Sequence, residues 1–311
     1  MRFTRRTMLQ LTAFSPALRP LLGQAPPQPR STVAVIQGED RRKNIAAALE
    51  AIDDQIGPAL RAKKYVVIKP NFVSTTNQLA ATHANAVHGI LDYLEPRFKG
   101  PVMVAEASAG DTMEAFEEFR FGQIASEHKP LKVDLVDLNR EARYVTIPLI
   151  DYDLHAKPAR LGAPLHSAPG VTPAWNDKRV THNGLRQTHY NIFLTAQAMK
   201  PFWGATVIDG YEGMEGNGPA SGTPVASRVA IASRDYIAAD RVGIEVMGLN
   251  PKWLGYLNFC GDFGIGQYDL SKIDIRGAKL AAVRRKFRLH PDIERELEWM
   301  GPMEELPRVV G

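Results

Sequence analysis

The chain has 311 residues, 44% apolar and 23% charged, the balance of a folded globular protein and not of a disordered or fibrous one. Its net charge of +4 resides in the first 25 residues, which hold Arg2, Arg5, Arg6 and Arg19 and no acid. Without them 34 basic residues face 34 acidic ones, so nucleic-acid binding, which needs a basic surface, is excluded on charge. The single cysteine, Cys260, excludes an intramolecular disulfide and any iron–sulfur cluster held by this chain alone.

Residues 1–25 read as an export signal, with a charged start, a short apolar middle and a small-x-small ending at Gly23-Gln24-Ala25. The run Thr4-Arg5-Arg6-Thr7-Met8-Leu9-Gln10 is similar to a twin-arginine signal. That similarity implies the twin-arginine export machinery as a partner and a periplasmic or otherwise extracytoplasmic mature protein. No stretch reaches the length of a permanent membrane span. Residues 26–30, "PPQPR", are expected to form a stiff proline-rich leader into one α/β domain over 31–311.

Within that domain, "TVAVI" at Thr32–Ile36 predicts a strand from its β-branched content. A helix over 41–56 follows from apolar residues at Ile45, Leu49, Ile52 and Ile56. "YVVIKPN" predicts a second strand stopped by Pro70, and "HANAVHGILDYL" a second helix. "PVMVAEAS" is a third strand, and Asp111 with Glu114 opens a third helix in a capping-box-like pair. "KVDLVDL" and "YVTIPLI" are the fourth and fifth strands. This alternation predicts an α/β fold, doubly wound, with a mostly parallel sheet and helices on both faces. From about 151 to 189 the pattern fails. Prolines at 158, 164, 169 and 173, with Gly162, Gly170 and Gly184, predict a long irregular excursion. Order returns with a helix over 191–199, the strands "ATVID" (205–209) and "RVAIAS" (228–233), a helix from Tyr236, and a glycine-rich loop over 261–277 leading to a short last strand.

Ligands of parallel open sheets bind at the carboxyl ends of the strands. The polar residues at those ends are Lys69 and Asn71, then Glu106 and Ser108, then Asp137 and Asn139. Asp209 with Glu212, Glu215 and Asn217 comes next, and finally Arg234 and Asp235. Parallel strands would bring all of these to one rim, with Lys69 facing the carboxylates near Gly213. Asp209, Glu212 and Glu215 are the candidate catalytic acids, since a buried acid has the raised pKa that acid–base work near neutrality needs. The oxygens of Asp209, Glu215 and Asp235 suit a hard divalent cation. Gly210, Gly213, Gly216 and Gly218 allow backbone N–H groups to turn toward an anion, with Lys69 as its counter-charge. A dinucleotide is disfavoured, because Gly216-x-Gly218 leads into a strand and not a helix. A nucleophile elbow at Glu106–Gly110 is disfavoured too, because Glu106 would crowd the turn around Ser108.

The segments Val66–Val73, Thr82-His83, Val207–Val225, Ala232–Pro251 and Gly264–Gly277 occur in order. Together they resemble the domain-of-unknown-function family 362, the run "DGYEGMEGNGPASG" being the most specific part. The resemblance implies an α/β domain, fused in some relatives to ferredoxin-like iron–sulfur modules, which one cysteine cannot reproduce here. Lys178, Thr181 and His182 stand in place of the family's lysine–threonine–histidine segment. The expected ligand-binding residues are Lys69, Asn71, His83, Glu106, Gly213, Gly216, Asn217 and Gly218. The expected activity is that of an exported enzyme acting on a small polar or anionic molecule, with a divalent cation as the candidate cofactor. Two alternatives stay open: a non-catalytic ligand-binding protein, and an electron-transfer protein whose cofactor comes from a redox partner.

Overall fold

The computed structural model describes residues 28–141, 143–151, 155–162, 182 and 184–300. The export signal, Lys178 and Thr181 lie outside the described residues. In chain order the elements are β1 (Ser31–Gln37), α1 (Arg41–Glu50), α2 (Asp53–Arg61), β2 (Val66–Ile68), α3 (Ala84–Leu94), β3 (Pro101–Glu106), α4 (Thr112–Glu118), α5 (Ile124–Glu127), β4 (Lys132–Asp137), β5 (Tyr144–Ile150) and β6 (Ala156–Gly162). There follow α6 (Leu185–Met199), β7 (Thr206–Gly210), β8 (Gly213–Glu215), β9 (Thr223–Val225), β10 (Val229–Ser233), α7 (Tyr236–Met247), α8 (Gly255–Asp262), β11 (Ile273–Gly277), α9 (Leu280–Val283) and α10 (Ile293–Glu296).

Helices and strands interleave as an α/β fold requires, but the strands divide between two main sheets. The first has the order β11-β1-β10-β7, with β1 parallel to β11 and antiparallel to β10, and β10 antiparallel to β7. The second, β2-β3-β4, is parallel throughout. The direction of β10 has a local cause. A parallel return normally needs a crossover helix, and the chain between β7 and β10 forms only the β8–β9 hairpin.

Alternation along the first sheet sends Val33, Val35, Val229 and Ile231 toward Ala238, Val242 and Val246 of α7. Ala34, Ala230 and Ala232 face the other way, into a core that runs through Ile45 and Leu49 of α1 and Leu91 of α3 to Val102 and Val104 of β3. Helices α1 and α3 thus fill the space between the sheets, each fully buried Ile or Leu contributing about 1.5–3 kcal/mol. Phe72, just beyond β2, stands edge-on to Phe116, Phe119 and Phe121 at centroid distances of 5.5, 5.3 and 5.1 Å. That aromatic cluster fixes the loop after β2, which carries several of the site residues.

Two expectations need correction. The single helix over 41–56 is two, because Arg276 Nη1 takes the Ala51 carbonyl at 2.7 Å and Asp53 and Asp54 open a new helix with acids at its positive end. Within the excursion, 156–162 form β6, paired antiparallel with β5 so that Pro148 lies opposite Pro158. A two-stranded ribbon has two edges, which tolerate proline's missing donor. The leader is fastened at its end: Gln267 Nε2 donates to the carbonyls of Gln28 and Pro29 at 3.2 and 2.8 Å, and Arg30 pairs with Asp274. Among the described residues no helix is long and apolar enough to cross a membrane.

Candidate functional site

The carboxyl edge of the parallel sheet gathers the residues that its strand ends predict. Lys69 follows β2, and Glu106 ends β3 opposite Asp137 of β4. Glu106 is 2% exposed, and its Oε2 accepts from Lys69 Nζ at 2.6 Å while its Oε1 accepts from the Ala107 amide at 2.9 Å. The Lys69 ammonium also donates to the Pro70 carbonyl at 2.5 Å. Ser108 is fully buried and its Oγ meets no hydrogen-bond partner among the described residues; its amide donates to Thr112 Oγ1 and its carbonyl accepts from Asn139 Nδ2, both at 3.1 Å. The Glu-Ala-Ser-Ala-Gly run is therefore a packed strand-to-helix turn.

The loop from Lys69 returns on itself. Asn71, an exposed residue, exchanges two 2.8 Å bonds with Thr82 through its amide and carbonyl. His83 then caps α3, its Nδ1 accepting from the Asn85 amide at 3.0 Å. An acceptor Nδ1 places the proton of the neutral ring on Nε2. Burial first, then the positive charge of Arg41 and then His88, push the His83 pKa down to about 4, so the ring is neutral at pH 7 and its Nε2–H is a donor.

Arg41, whose charge acts on His83, pairs with Asp209. Alternation along β7 turns Val207 and Asp209 toward α1, where Arg41 Nε sits 3.2 Å from Asp209 Oδ1 in an ionic contact that is not aligned as a hydrogen bond. The Asp209 side chain is 16% exposed. Burial raises its pKa, Arg41 and the Tyr211 amide at 3.3 Å pull it back, and Glu212 pushes it up. Both guanidinium groups of Arg41 and Arg228 lie over the Tyr211 ring, at 4.9 and 4.3 Å from its centre. The Tyr211 hydroxyl donates to the Glu39 carbonyl at 2.8 Å.

The acidic hairpin meets the Lys69 loop, since Asn77 Nδ2 donates to the Ala220 carbonyl at 2.8 Å and the turn over 78–80 packs on β8. The ion pair of Lys69 is nevertheless with Glu106 and not with the hairpin's acids. Glu215 accepts from the Arg288 amide at 2.8 Å, and Glu212 is exposed. Gly213 lies against the Phe287 ring, which a Cβ would meet at 2.9 Å. Gly216, at φ +74°, donates its amide to the Arg288 carbonyl at 3.0 Å, and Gly218 donates to the Gly216 carbonyl at 2.8 Å. Those two amides are thus spent on carbonyls and do not form an anion nest. Asn217 is exposed, its carbonyl accepting from Ser221.

Asp235 is on the opposite edge. Asp209 pairs with Ala230 near the start of β10, whereas Asp235 follows its end, about 17 Å along the strand. Its carboxylate is fully engaged: it accepts from the Ile237 and Ala238 amides as the cap of α7, and from Ser31 Oγ at 2.6 Å and the Gln267 amide at 2.8 Å. Asp209, Glu215 and Asp235 accordingly do not converge on one cation, and among the described residues no three His, Cys, Asp or Glu side chains form a metal-holding group.

Arg41, Tyr211 and Arg228 are the site residues that motif reasoning misses. Arg41 was accessible to the strand-end rule, because β1 runs in the direction of β7 and Gln37 and Gly210 both align with Val229. Arg228 precedes its strand, and only the antiparallel course of β10 brings it to this edge.

The architecture defines an α/β protein with a polar site where the loop after β2 meets the ends of β1 and β7. Residues 66–171 and 159–245 match the domain of unknown function DUF362, and the chain belongs to that family. The matched span holds Lys69, His83, Glu106, Asp209, Tyr211 and Arg228, while Arg41 precedes it. No curated protein and no solved structure matches the chain.

Proposed function

We propose that this protein is an exported enzyme that performs acid–base chemistry on a small polar or anionic molecule at the Asp209–Arg41–His83 site. One observation carries the reading: the mostly buried Asp209 carboxylate, its pKa raised by burial, pairs with Arg41, whose charge also disfavours protonation of His83. Asp209 would take a proton from the substrate, because a carboxylate of raised pKa is a stronger base than an ordinary one. The His83 Nε2–H would donate to the oxygen on which negative charge develops, and Arg41 would stabilise both charges as they move. Export by the twin-arginine route rests on the Arg5-Arg6 run and the Gly23-Gln24-Ala25 ending.

Incubation with small carboxylates, phosphates and amides, followed by mass spectrometry, is the route to a substrate. On the substrate so found, Asp209→Asn is expected to lower kcat by about 100-fold or more. Wild-type turnover in both Asp209→Asn and His83→Ala would overturn the reading.

A further inference from the structure

Arg228 stands between β9 and β10 with φ 57°, in the left-handed region that glycine enters freely and a side chain only against steric resistance. Its backbone is engaged there. The amide donates to the Tyr211 carbonyl at 2.9 Å, and the carbonyl accepts from the Gly38 amide at 3.1 Å and Asn44 Nδ2 at 3.2 Å. A glycine would make all three bonds, so they do not account for an arginine. The side chain places its guanidinium on the Tyr211 ring together with that of Arg41, two like charges at one aromatic group. The carboxylate beside Arg228 is Glu39, at 3.4 Å with its side chain 85% exposed, a pair that water screens. Asp209 lies beside Arg41. The Arg228 side chain itself is 38% exposed, open to a ligand.

We propose that Arg228 is a specificity-determining residue that, with Arg41, binds a carboxylate or phosphate group of the substrate at the Tyr211 ring. The planar fork of a guanidinium matches the paired oxygens of either group. The proposal rests on the acid–base reading for the location of the site and adds the chemical class of what enters it: a small oxyanion whose reacting atoms extend from the anchored group toward Asp209.

Calorimetric titration of the full chain with inorganic phosphate and, separately, with malonate tests the proposal. Wild type is expected to bind at least one, phosphate alone marking a phosphate substrate and malonate alone a carboxylate. Arg228→Gly is expected to weaken that binding by about 10- to 100-fold, the worth of a charge-assisted hydrogen bond, without lowering the thermal midpoint of the free protein. Arg228→Gln, which keeps the stem and the backbone conformation, is expected to lose affinity equally. Failure of wild type to bind either anion, or undiminished affinity in either variant, overturns the proposal. If Arg228→Gly loses the anion while Asp209→Asn retains turnover, the anchor stands and the acid–base reading falls. Undiminished anion affinity in Arg228→Gly, with turnover lost in Asp209→Asn, gives the reverse.

Discussion

Replacing Lys69 by Met removes the partner of a carboxylate that the fold has taken out of water. Glu106 is 2% exposed, and without the ammonium at 2.6 Å its remaining donor is the Ala107 amide at 2.9 Å. Breaking a buried ion pair from one side costs about 3–5 kcal/mol, a large share of the ~5–15 kcal/mol by which domains are stable. Glu106→Gln leaves a neutral acceptor for Lys69 and is expected to cost less, about 1–3 kcal/mol. The double variant removes both charges, so the two losses overlap by about 2–3 kcal/mol, near the top of the range for coupled neighbours. Urea unfolding, followed through the four tryptophans, yields the complete cycle. Losses additive to within about 0.5 kcal/mol would refute the claim that these side chains act as a buried pair.

Three more outcomes rest on the same geometry. Burial pushes Asp240 up to about 6 although the Tyr256 hydroxyl donates to it at 2.9 Å, so the native state binds more protons than the unfolded one between pH 4 and 6. The Asp240 contribution to stability is therefore full below about pH 4 and falls by about 3 kcal/mol as pH rises through 6; Asp240→Asn should remove that component of the pH dependence in urea midpoints taken from pH 4 to 8, matching wild type at pH 4 and exceeding it at pH 7. Glu215→Gln should keep turnover within about threefold and lose about 1 kcal/mol of stability by thermal melting, because its observed work is to hold the Arg288 amide. Replacement of Arg5 and Arg6 by lysine should leave the protein in the cytoplasmic fraction on immunoblotting, whereas wild type appears outside it with the first 25 residues removed.

The α/β class, the three parallel strands leading to Lys69, Glu106 and Asp137, and the Asp111 cap were legible in short-range pattern. Those features depend on residues within one element or one βα unit. The split into two sheets was not, although its cause was on view: no crossover helix separates "ATVID" from "RVAIAS", and a connection without one favours an antiparallel return. That single direction decides the site. It removes Asp235 to the far edge and brings Arg228 to the near one. Glu215 misled for another reason. A carboxylate in a glycine-rich loop reads as ligand-facing, but its partner, the Arg288 amide, is 73 positions away and belongs to a segment outside any helix or strand. Gly213 and Gly216 likewise make room for Phe287 and Arg288 and not for a ligand.

The central claim is that His83 is a neutral Nε2–H donor in the field of Arg41, the arginine that pairs with Asp209. Nitrogen-15 NMR of the histidine rings across pH 8 to 4 tests it most directly. The account predicts that His83 stays in the Nε2–H form until about pH 4. An ordinary titration near 6.5, or an Nδ1–H tautomer at neutral pH, would contradict it.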